Sequence, residues 1–106
     1  RVHYAVDGNE LELGSALVNF QAQTLTRDGK LLEASAKEFE LLRYLASHRN
    51  EVLTREVILR DVWGHQADIE TRTIDNFIVR LRRKIEADSA HPRVLLTVHG
   101  SGYKLV

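Results

Sequence analysis

Residues 72–85, RTIDNFIVRLRRKI, interleave five basic side chains, Arg72, Arg80, Arg82, Arg83 and Lys84, with a set of apolar ones. A helix separates the two sets. At about 100° per residue, Ile74, Ile78, Leu81 and Ile85 gather within about 40° of one direction, with Phe77 on their flank. Arg72, Asn76, Val79, Arg80 and Arg83 fall on the opposite side, with Thr73 at its edge. Each fully buried Leu or Ile contributes roughly 1.5–3 kcal/mol, so the apolar set is enough to anchor the helix on a core. Arg82 and Asp75 lie on a flank, as a solvated edge or as a clamp to a neighbouring element. Arg80, Arg83 and Lys84 are like charges at helical neighbour spacing. That arrangement costs a few tenths of a kcal/mol per pair, roughly, in an isolated helix, and it suggests an anionic partner.

Three kinds of helix fit this pattern: an ordinary amphipathic surface helix, a membrane-surface helix, or one that carries nucleic-acid contacts. A membrane surface fits poorly, because the apolar face is needed internally and the cationic face offers no Trp, Phe or Leu to lipid. Nucleic acid fits better. The net charge of zero argues against it only if charge is spread evenly. Residues 1–35 hold three basic and five acidic groups, residues 36–71 five and seven, and residues 72–106 seven and three. The final third is thus cationic, by chance clustering on a solvated face or as a binding surface.

A chain of 106 residues, 43% hydrophobic and with one proline, fits one small folded domain. No apolar run approaches the ~18 residues that span a bilayer, and the start lacks the regions of a signal peptide. A protein that stays in the cytoplasm, with no membrane partner, is the expectation. The absence of cysteine excludes disulfides and thiolate metal sites.

The first third reads as four antiparallel strands. Leu11 and Leu13 alternate, Val18 and Phe20 share a face, and TLTR and KLLE flank Asp28-Gly29, a two-residue hairpin signal. A helix is predicted over about 36–47, with Ser35 as its N-cap and Glu38 closing a capping box; Phe39, Leu42, Leu45 and Ala46 form its inward stripe. Asn50 is a stop. After an extended piece at 51–53, Thr54 caps a second helix over REVILRDVW, which Gly64 ends. Thr71 is expected to cap the third. The tail reads as strands VLLTV and YKLV joined around HGSG. Two short helices before a third of this kind suggest a helix-turn-helix, whose second helix enters the major groove, although GHQADIE is longer than the usual turn.

EFELLRYL, LTREVILRDVWG, RTIDNFIVRLRRKIE and LLTVHGSGYKL resemble, in order and spacing, the DNA-binding effector domain of OmpR/PhoB-type response regulators of bacterial two-component systems. The likeness covers about residues 9–106, leaving residues 1–8 as a residual linker or disordered start. It implies an α+β winged helix-turn-helix: an N-terminal four-stranded antiparallel sheet, three helices and a C-terminal hairpin wing. The recognition helix is then about 71–87, in the major groove, and the wing about 94–106, on the backbone or minor groove. No cofactor and no metal are implied. The implied partners are double-stranded promoter DNA, as direct repeats, RNA polymerase, and a receiver domain on the full-length chain, on which a sensor kinase acts in a phosphorelay. Only RVHYAVDGN precedes the sheet, so the expectation is an isolated effector domain, monomeric by itself.

By the same resemblance, Asn76, Val79 and Arg80 face bases. Arginine can bridge guanine O6 and N7, asparagine can pair with adenine, and valine can touch a thymine methyl. Arg72, Thr73, Arg82, Arg83 and Thr97 match backbone contacts, which set register without reading sequence. Trp63 is either a core aromatic or a further phosphate donor. The wing tip is His99, Gly100, Ser101 and Gly102, and Tyr103 is expected to face the core with its hydroxyl available. Gly64, His65, Gln66, Ala67, Asp68, Ile69 and Glu70 are either a polymerase-contact loop or a plain connector. Two positions depart from the family. His99 stands where many relatives have an arginine that enters the minor groove, and Phe77 where relatives often have a phosphate-binding histidine, so Phe77 is expected to pack. The alternative function is a winged-helix protein-interaction module. An enzyme has no support, since there is no HExxH, Walker loop or GxSxG, and the five histidines lack metal-ligand spacing.

Overall fold

Strand and helix signals resolve into two antiparallel sheets flanking three helices in a computed structural model that describes residues 9–64 and 68–106. Strands β1 (Glu10–Leu13), β2 (Ala16–Asn19), β3 (Thr24–Arg27) and β4 (Lys30–Leu32) form a meander in sequence order. Leu11, Leu13, Ala16, Val18 and Leu25 point from it into the core. Arg27 pairs with Lys30 across Asp28 and Gly29, whose φ values of 53° and 78° are the two positive angles a tight hairpin turn demands.

Helix α1 (Ala36–Ser47) starts with the expected box: Glu38 N–H donates to Ser35 Oγ at 3.2 Å, and Ser35 N–H donates to Glu38 Oε2 at 2.9 Å. Its stripe is buried, together with Leu41. Helix α2 begins at Arg55 under a Thr54 cap, runs as an α-helix to Ile58 and widens into a π-helical turn over Leu59–Trp63. Gly64, at φ 94°, ends it by donating to the Leu59 and Arg60 carbonyls. At this turn Tyr44 of α1 donates to Asp61 at 2.6 Å, and Arg60 donates to the same carboxylate at 2.8 Å. The Arg60 and Tyr44 hydrogen bonds pull the Asp61 carboxyl down to about 2. Burial and Asp61 push the Tyr44 phenol up to about 12.

Helix α3 (Arg72–Ile85) buries Ile74, Ile78, Leu81 and Ile85. Its start differs from expectation: Thr71 lies in helical backbone and its side chain caps nothing. The first amides are satisfied by a tighter turn, with Thr73 N–H donating to Glu70 O and Ile74 N–H to Thr71 O. Strands β5 (Leu95–Val98) and β6 (Gly102–Leu105) form the wing hairpin. Leu53 bridges Tyr103 through two backbone hydrogen bonds, making a short third strand beside β6. The structure is thus a winged helix with a four-stranded N-terminal sheet. The expectation for residues 1–8 lies outside the described residues.

Candidate nucleic-acid interface

Burying four residues of α3 turns Arg72, Asn76, Val79, Arg80 and Arg83 outward, and all five are exposed. Val79 is 45% exposed, an apolar side chain standing among cations. Arg72 lies 3.8 Å from Glu70, both well exposed, a weak pairing at that distance. Among the described residues, no carboxylate forms an ion pair with Arg80 or Arg83. Thr73 is half-buried at the edge of this face.

Arg80 is held from beneath. Its guanidinium carbon lies 4.9 Å from the centroid of the Phe77 ring, and Phe77 meets Trp63 edge to face at 5.0 Å with planes inclined by 80°. Phe77 therefore packs, as its departure from the family pattern implies. Trp63 is half-buried against the core and carries Lys37 Nζ 5.4 Å from its ring centroid.

The flank residues Asp75 and Arg82 are both clamps. Asp75 accepts from the Tyr103 hydroxyl at 2.6 Å and from Arg55 at 3.2 Å. Burial and this carboxylate push the Tyr103 phenol up to about 12. The Tyr103 hydroxyl is thus committed to α3, contrary to the expectation that it stands available. Arg82 donates to Leu95 O at 2.9 Å and to Thr97 Oγ1 at 2.8 Å. Two expected backbone contacts, Arg82 and Thr97, therefore meet each other, and join α3 to β5.

Lys84 is not part of the open cationic face, since it ion-pairs with the buried Glu38. Burial raises the Glu38 pKa, but the bonds from Lys84 and Ser35 outweigh it and leave the carboxyl below its ordinary value. At the carboxyl end of α3, Arg27 reaches over from β3 and donates to the carbonyls of Arg83 and Glu86, each at 2.9 Å. Glu86, buried just past the helix, accepts from the backbone N–H groups of Arg93, Val94 and Leu95 at 2.7–3.2 Å. Sequence reasoning missed both roles. An acidic residue at the negative end of a helix dipole was the one available sign for Glu86; Arg27 gave none.

At the wing tip, His99, Gly100 and Ser101 are exposed, and Gly100 takes φ 75° in the turn. Gly102, expected at the wing tip, opens β6 and meets a need within the protein itself. At φ 155° an added Cβ would stand 2.0 Å from Leu53 O, so the glycine lets two strands of one protein meet. In the connector, Gly64, Asp68, Ile69 and Glu70 are described, with Asp68 and Glu70 exposed, while His65, Gln66 and Ala67 lie outside the described residues. No group of His, Asp or Glu among the described residues is placed to hold a metal, and none of the described helices is long and apolar enough to cross a membrane.

A winged helix whose third helix buries one seam and exposes a cationic one defines a class of candidate DNA-binding domains. Residues 28–105 match the family described as "Transcriptional regulatory protein, C terminal", and the chain belongs to that family, in its OmpR/PhoB-type branch. Among solved structures it is similar to the response regulator DrrB of Thermotoga maritima, an OmpR/PhoB homologue, with 31% identity and a TM-score of 0.82 over 93% of this chain and 45% of DrrB. The chain thus spans less than half of that protein. It is also similar to the DNA-binding domain of CpxR from E. coli, with 33% identity and a TM-score of 0.72 over 92% of this chain and 95% of that one. A third likeness is the DNA-binding domain of Klebsiella pneumoniae RstA, solved in complex with the RstA box, with 26% identity and a TM-score of 0.76 over 92% of this chain and 96% of that one.

Proposed function

We propose that residues 9–106 bind double-stranded DNA sequence-specifically as the effector domain of a bacterial response regulator that controls transcription in the cytoplasm. The observation that carries this reading is the exposed row Arg72, Asn76, Val79, Arg80 and Arg83 on a helix whose other side is locked in the core. Asn76, Val79 and Arg80 read base edges in the major groove, while Arg72, Thr73 and Arg83 contact phosphates. Arg82 holds Thr97 at the edge of the wing, so this pair contributes to backbone contact as one unit. Trp63 acts from within, through packing. His99 stands exposed at the tip of the wing, nearest the backbone or minor groove.

In the full-length chain a receiver domain, phosphorylated through a sensor kinase, governs pairing of two effector domains on direct repeats; the effector domain by itself is monomeric. The connector from Gly64 to Glu70 faces RNA polymerase. Selection of bound sequences from a random duplex pool tests the DNA reading, with binding remeasured across salt concentrations. The expected result is an enriched half-site and a log–log salt slope of about −0.9 per phosphate neutralised. A pool with no enriched half-site, or Arg83→Ala protein binding duplex with an unchanged slope, refutes it in favour of a protein-interaction module.

A further inference from the structure

We propose that Phe77 and Trp63 form an aromatic platform that orders Arg80 before DNA arrives, so that the base preference of this one arginine depends on two residues that touch no base. The inference rests on the reading of Arg80 as a base contact and extends it to residues for which packing was the only role.

Phe77 and Arg80 are one helical turn apart on α3, so the ring and the guanidinium share a side of the helix. Alone, such a pair exchanges among rotamers, and an exposed arginine gains little from it. Here the ring is not free. Trp63 meets Phe77 at 5.0 Å with planes inclined by 80°, which fixes the ring and leaves a face for the guanidinium at 4.9 Å, inside the ~6 Å reach of a cation–π contact.

Trp63 is itself fixed. It is the last residue of the π-helical turn of α2, which Gly64 closes, and Lys37 of α1 both donates to Val62 O at 3.3 Å and lies over the indole ring. Three helices thus converge on the orientation of one guanidinium. Among the described residues no carboxylate competes for it. Guanine O6 and N7 lie in the plane of the base and require a planar fork presented in the right orientation. A pre-oriented fork loses less rotamer freedom on binding. The gain appears only when the correct base is present, so it enters as specificity and leaves the number of phosphate contacts unchanged.

The test compares Phe77→Leu, Phe77→Tyr, Trp63→Leu and Arg80→Ala in full domains whose folding is checked by circular dichroism melting. The platform predicts that the Arg80 δ-methylene protons of the free protein are shifted upfield by the Phe77 ring current. Phe77→Leu should abolish that shift and Phe77→Tyr keep it. On DNA, Phe77→Leu and Trp63→Leu should reduce preference at the base position that Arg80→Ala abolishes by about two- to fivefold, the Boltzmann equivalent of an exposed cation–π contact, with an unchanged salt slope. Arg80 protons at unshifted positions overturn the platform, as does full base preference in Phe77→Leu protein. Arg80→Ala protein that keeps every base preference overturns instead the reading of Arg80 itself, and the platform's purpose with it; the ring-current shift tells these failures apart.

Discussion

Removing the Glu86 carboxylate should cost this domain a large fraction of its stability while leaving its exposed face untouched. The carboxylate accepts from three consecutive backbone N–H groups where the chain enters the wing: Arg93 at 2.8 Å, Val94 at 3.0 and 3.2 Å, and Leu95 at 2.7 Å. Leu95 is fully buried and Val94 half-buried, so in Glu86→Ala protein at least one donor, and in part a second, loses its partner where water does not reach. Each such donor costs about 1–3 kcal/mol, and Arg93, at the surface, can turn to solvent. The sum is about 2–4 kcal/mol, set against the 5–15 kcal/mol that is roughly typical of a domain. Glu86→Gln keeps one acceptor oxygen and should lose about 1–2 kcal/mol. Arg93→Ala, which changes an exposed side chain but keeps the N–H, should stay within about 0.5 kcal/mol. Urea unfolding at equilibrium, followed by circular dichroism, orders the three variants. A Glu86→Ala loss below about 1 kcal/mol, or one no greater than that of Glu86→Gln, refutes the claim that these amides depend on the carboxylate.

Gly102→Ala should destabilise the domain by about 2–4 kcal/mol in urea titration, because the backbone angle is strained for an L residue and the new methyl overlaps Leu53 O; Gly100→Ala should cost less, since nothing lies near its Cβ position. The Tyr103 hydrogen bond to Asp75 gives alkaline stability a definite window. With its pKa raised to about 12 from the ordinary 10, its contribution is complete below pH 10 and disappears as pH rises towards 12. Urea midpoints should fall through that window and fall less in Tyr103→Phe protein; identical profiles would remove Tyr103 as the cause. Arg27→Ala should destabilise by about 1–2 kcal/mol and speed amide exchange in the last turn of α3, since Arg27 donates to two carbonyls there. Unchanged exchange would show that water replaces the guanidinium without loss.

Periodicity and local signals were legible because they act over a few residues. The inward set Ile74, Ile78, Leu81 and Ile85, the Ser35–Glu38 box, the Asp28-Gly29 turn and the Gly64 stop are each written within one or two turns of chain, and each appears where expected. Thr71 is an instructive failure. A threonine ahead of an apolar-periodic run is a capping signal, yet backbone acceptors from Glu70 and Thr71 took over that function. Interactions between distant segments left no trace. Lys84 counted as one more cation on the helix until Glu38, 46 residues earlier, claimed it. Gly102 looked like a wing-tip glycine because sequence does not reveal that the Leu53 backbone runs beside it. Helical periodicity supplied the outward face and the resemblance the architecture; a clamp was one of two readings for Asp75 and Arg82, and neither source gave the roles of Arg27 and Glu86.

Those clamps have a mechanical consequence. Asp75 grips Tyr103, Arg82 grips Leu95 and Thr97, and Glu86 grips the entry to β5, so the wing is fastened near both ends of α3. Helix and hairpin then behave as a caliper of set opening, whose two jaws cannot adjust independently to what lies between them. On a duplex the adjustment falls to the DNA, whose groove width and bend must bring base edge and backbone to the jaws together. Sequences that deform easily are favoured even at positions no side chain reaches.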